Sequence, residues 1–118
     1  MNVRKLVKGM GMLGILALLT VGTWGSVALA HENPHVAEAI AHAEAAADHG
    51  GQGHPDALVS HAEEALMHAH AAQKEVSNPH LDEGVHELME AIKHGKQGHA
   101  GVGTEHAKSA VMHMKEVH

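Results

Sequence analysis

The chain has 118 residues, room for one small domain, and carries eight basic residues, 14 acidic residues, 15 histidines and no cysteine. Without cysteine there is no disulfide, no thiolate metal site and no covalently attached c-type haem. The only Phe, Tyr or Trp is Trp24, and the formal charge of −6 repels phosphate, which argues against base stacking and nucleic-acid binding.

Arg4, Lys5 and Lys8 open the chain, an apolar stretch follows from Gly9 to Val21, and Ala28-Leu29-Ala30 offers a small-x-small cleavage site. This is the pattern of a secretory signal peptide over residues 1–30. The apolar run is short and glycine-interrupted for a span of about 20 residues, which argues against a permanent membrane anchor. Cleavage after Ala30 removes three of the eight basic residues and none of the 14 acidic ones, leaving 31–118 at −9 with neutral histidine. The mature part is expected to be exported and to be a monomer without a stable membrane anchor.

Four helices are predicted in what remains. The first covers 34–49, where Asn33 is a good N-cap and Pro34 suits the first helical position. The second covers 55–76. The third, 79–94, starts again at Asn78-Pro79. The fourth covers 103–117, beginning near Thr104. Gly50 and Gly95 stand where a left-handed C-terminal residue is wanted. The alanine, glutamate and lysine content favours helix throughout.

The repeated start belongs to a duplication. Aligning 33–73 with 78–118 at an offset of 45 needs no gap and matches 15 of 41 positions, five of them histidines. The shared turn reads His-Gly-Gly-Gln-Gly-His at 49–54 and His-Gly-Lys-Gln-Gly-His at 94–99. Each unit is thus a helix–loop–helix. An apolar seam runs through Leu58, Ala62, Ala65, Ala69, Ala72 and Val76, with counterparts Leu81, Val85, Leu88 and Ile92, then Ala107, Ala110, Met114 and Val117. Val36, Ile40, Ala43 and Ala47 form a weaker stripe on the first helix. Short connections make successive helices neighbours. The expected fold is all-α, an antiparallel up-down-up-down four-helix bundle built from two duplicated units.

The histidines follow the heptad. His35, His42 and His49, then His61 and His68, then His80 and His94, then His106 and His113 each form a column beside the seam. Residues seven apart are separated by about 10.5 Å along the axis, so two of them cannot share one ion. A second ligand at each level must lie three or four residues away or on a neighbouring helix. Glu38 stands between His35 and His42, and Glu64 between His61 and His68; His86 and Glu90 are four apart. His54 and His99 occupy the equivalent turns, and His31 would become the first residue after cleavage. These are open sites of two or three nitrogen and oxygen ligands, suited to Cu(II) first, then Ni(II), Zn(II) and Co(II).

With its repeated heptad around "HAEEALMHAH" and "EHAKSAVMHM" and its "HGGQGH" and "HGKQGH" turns, the chain resembles the periplasmic small metal-binding protein family. The resemblance covers essentially all of 31–118. It implies multi-site binding of copper and other divalent metals in storage, buffering or detoxification. The family's ligands carry over onto the histidines at 35, 42, 49, 61, 68, 80, 94, 106 and 113. The chain departs at Glu87, where the heptad wants histidine, with His86 one place early.

No enzyme is expected. "HELME" at 86–90 has Glu90 where a zinc hydrolase needs its second histidine. Only Glu83–His86 offers a helical Glu-x-x-His pair, too little for a di-iron carboxylate site. The alternative to metal binding is a pH-responsive periplasmic protein: protonating all 15 histidines would carry the mature charge from −9 to +6.

Overall fold

Asn33 heads the first helix. In the computed structural model, which describes residues 33–118, its side-chain oxygen accepts from the backbone N–H groups of His35 and Val36 at 2.9 and 3.3 Å. Pro34 follows, where its missing N–H is no loss, and α1 runs Pro34–Gly51. The duplicate behaves alike: Asn78 Oδ1 accepts from the His80 N–H at 2.8 Å, and α3 runs Pro79–Lys96. Helix α2 covers Pro55–Gln73 and α4 covers Ala100–Met114. Among the described residues there are four helices and no strand. The signal peptide read over 1–30, and His31, lie outside the described residues.

Both left-handed glycines lie three residues beyond the expected Gly50 and Gly95. Gly53 and Gly98, at φ 81 and 79°, are the described residues with positive φ. The turn closes by the His54 N–H donating to the His49 carbonyl at 3.0 Å, matched by His99 to His94 at 2.9 Å. Gly50 and Gly95 are instead buried inside their helices. A Cβ on Gly50 would strike the side chains of Leu58 and Thr104, and one on Gly95 would lie 2.5 Å from Val59 Cγ2. These two glycines serve close helix approach, not termination.

The fourth helix starts earlier than expected, at Ala100, the duplicate of Pro55. Thr104 lies one turn inside it, its hydroxyl donating to the Ala100 carbonyl at 2.7 Å. Helices α2 and α4 also stop three residues short of expectation, so Val76 and Val117 lie beyond the helical seam.

The α2 seam is fully buried from Leu58 to Ala72. Ile40, Ile92 and Val117 are half-buried against the core, while Ala39, Ala46, Ala91 and Val111 join it and widen the stripe. The largest fully buried side chains are Leu58, Leu81, Leu88 and Met114. Alanine fills most of the rest, so the helices approach closely around a core with few large side chains. Helix α1 packs on α2 and α4, and α3 packs on the same two, with only slight contact across the α2–α4 diagonal. Side-chain partners run in opposite directions on neighbouring helices: Glu44 meets Lys115 while Gly50 faces Thr104, and Gln73 meets Asp82 while Glu63 meets Lys96. This is the up-down-up-down bundle. No described helix is long and apolar enough to cross a membrane.

Candidate metal centres

The heptad sets a histidine column on one flank of α1 and another on α2. Because the two helices run in opposite directions, the columns interleave like teeth. Ring centroids step from His35 to His68 at 6.0 Å, His68 to His42 at 5.6 Å, His42 to His61 at 6.0 Å and His61 to His49 at 5.1 Å. His54, from the turn, closes this ladder 6.3 Å from His49. The second unit repeats it: His80 lies 6.1 Å from His113, His106 5.3 Å from His94, and His94 6.1 Å from the turn residue His99. The middle place of the second ladder is taken by Glu87, whose Oε2 is 2.7 Å from Nδ1 of His106.

Most ladder rings are half-buried, flanking the core; His54, His80 and His99 are exposed. The Nδ1 atoms of His49, His61 and His94 are shut off from solvent and have no hydrogen-bond partner among the described residues. Nε2 is therefore the atom these rings offer to solvent and to an ion.

Among the described residues two clusters bring three ligand-bearing side chains together, Glu38 with His42 and His68, and Glu90 with His94 and His106, the ligand atoms of each within 4.8 Å of one another. Each has the same plan. A glutamate and a histidine four residues apart share one helix face, and the second histidine comes from the other helix of the same unit. Ligand bonds of about 2.0–2.1 Å would draw such atoms to about 3 Å apart, a change within reach of side-chain rotation. Two nitrogens and one oxygen leave coordination positions to water.

The other expected ligands fall in different places. Glu38 groups with His42, not with His35, whose Nε2 lies 3.9 Å from Glu75. Glu64 does not serve His61 or His68 on its own helix; its carboxylate lies 3.6 Å from His42 Nε2 across the pair. His86 is exposed on α3 and belongs to neither cluster. His70 bonds Gln73 at 2.9 Å, away from the ladder. His61 and His68 pair with α1 rather than with His106 and His113 of α4. Sequence reasoning named Glu87 only as a departure from the heptad and gave it no part in a site. Its signal was the 45-residue offset, which sets it at the place of His42.

A comparison with curated proteins finds no match. The family model described as small metal-binding protein matches residues 8–117, nearly the whole chain. The chain belongs to the small metal-binding protein family.

Proposed function

We propose that the protein is an exported, multi-site binder of divalent transition metals, copper(II) first, which stores or buffers them in the periplasm. The observation that carries this reading is the pair of Glu–His–His clusters, each spanning the two helices of its unit. Imidazole with carboxylate suits Cu(II), Ni(II), Zn(II) and Co(II), and Cu(II) stands highest in the usual stability order. Clusters on the flank of the bundle, completed by water, exchange their ions readily, as a buffer requires. Export rests on Arg4, Lys5, Lys8, the apolar stretch and the Ala28-Leu29-Ala30 site; the exported chain would begin at His31, which N-terminal sequencing reads directly. Nothing in this function calls for a nucleophile or a reaction, and a monomer suffices.

Copper titration by calorimetry tests it. More than two equivalents are expected per chain at pH 7. Protons compete with the ion for the imidazole nitrogens, so uptake should be lost on acidification. Bound metal should also raise the melting temperature, since an ion at 100 times its dissociation constant stabilises the fold by about 2.7 kcal/mol. A single equivalent insensitive to acid would contradict distributed sites. A charge change with pH but no copper uptake would favour the pH-responsive alternative.

A further inference from the structure

Positions 42 and 87 are equivalent in the duplication, and there the two ladders differ. In the first, His42 lies 6.0 Å from the ring of His61. In the second, Glu87 sits 2.7 Å from Nδ1 of His106, the counterpart of His61. The other His–carboxylate contacts among the described residues are longer, at 3.6 to 3.9 Å. The pair is also sheltered: the side chains of Glu87 and His106 are 20% and 29% exposed, against 52% for Glu64 beside His42. His61, lacking such a partner, keeps its Nδ1 buried and unpaired.

We propose that Glu87 is a positioning residue that makes Glu90–His94–His106 the tightest metal site of the chain. The proposal rests on the metal-binding reading above and adds to it an order among the sites. A carboxylate that accepts the Nδ1–H of a ligand histidine fixes its tautomer and ring orientation and raises the basicity of the other nitrogen. The bond to Glu87 leaves Nε2 of His106 as its free ligand atom. Glu90 supplies the anionic oxygen four residues before His94, with its carboxylate 3.8 Å from His94 Nε2. The equivalent rung of the first unit, His49 with His61, has the same close stack at 5.1 Å but Ala45 in place of Glu90 and His42 in place of Glu87. The three-residue cluster of the first unit therefore falls one rung away, at Glu38, His42 and His68, where Glu38 is exposed and neither ring has a hydrogen-bonded carboxylate. The two units have become different sites. The second offers two imidazoles and a carboxylate with one imidazole held in place, a donor set that zinc accepts as well as copper.

The test is a Zn(II) titration of the purified protein, followed through the histidine side-chain nitrogens by NMR. Before zinc is added, His106 should show the Nδ1–H tautomer. The rings of His94 and His106 should respond first, before those of His42 and His68. Glu87→Gln keeps the shape but loses the charge; it should weaken this site about 10–100-fold and blur the His106 tautomer. The helical spectrum and the affinity of the first-unit site should stay as they were. Glu87→His should bring the second site down to the affinity of the first. If zinc fills His42 and His68 first in the unaltered protein, or if Glu87→Gln leaves the order and affinity unchanged, the proposal is overturned while multi-site binding stands. If no histidine ring responds to zinc while copper still binds, this proposal falls alone; if neither metal binds, both fall. Should Glu87→Gln fail to fold, the filling order of the unaltered protein still decides.

Discussion

Leu58→Ala is expected to lower the melting temperature of the metal-free protein by more than about 10 °C, since 1 kcal/mol is worth about 4–8 °C in a domain of this size. Leu58 is fully buried on α2, and its side chain is among the groups a Cβ would meet at Gly50 on α1, Gly95 on α3 and Gly103 on α4, beside Thr104 at the first and Val59 at the second. One leucine thus fills a socket that the other three helices open by having no side chain there. Truncating a buried leucine costs about 2–5 kcal/mol, the upper end where the site cannot collapse. Collapse is hindered here because the three facing glycines have no side chains to move into the void. Among the described residues the largest fully buried side chains are just Leu58, Leu81, Leu88 and Met114, so the loss falls on a small reserve. Saturating copper should restore part of it by mass action. Circular dichroism melts with and without copper measure both effects. A fall below about 3 °C would mean that the socket adds little to stability.

Replacing His42 and His94 together by alanine should abolish the two tightest equivalents of metal while leaving the fold nearly intact. Each is the histidine that shares a helix with the glutamate of its cluster. Each is also half-buried on the flank rather than in the core, so its loss opens no cavity of the Leu58 kind. The rings left behind, such as His35, His54 and His113, retain weak binding but no three-residue cluster. Equilibrium dialysis at low free copper should show the tight equivalents gone, and the rise in melting temperature on adding copper should shrink with them. Undiminished tight binding in the double variant would place the sites elsewhere.

Much of this was legible in the sequence because it depends on local chemistry or on strict spacing. Asn33-Pro34 and Asn78-Pro79 open helices for reasons contained in four residues. The heptad sets the histidines in columns, and the 45-residue offset gives the duplication. What escaped depends on neighbours. Gly50 and Gly95 look like helix ends, yet the contacts of Leu58, Val59 and Thr104 hold them within helices. Thr104 resembles a cap, but its hydroxyl bonds back to Ala100. The glutamates were ambiguous for the same reason: Glu38 is three residues from His35 and four from His42, and only the approach of His68 from α2 favours the second. Glu64 reaches across to His42 instead of along its own helix. Glu87 read as a gap in the heptad, and its contact with His106 appears only once α3 and α4 lie side by side.

Holding of each ion across a helix pair, rather than along one helix, is the arrangement the two clusters favour. It is tested most directly by copper titration of His42→Ala, His68→Ala and the double variant. These residues lie 26 apart in sequence and on different helices, with their rings parallel within 7° and 5.6 Å apart. If they share an ion, each single variant should lose the same tight equivalent, and the double variant should lose no second one, the non-additivity expected of partners in one site. If the ions sit along single helices, the losses should be separate, and the double variant should lack two equivalents where each single variant lacks one.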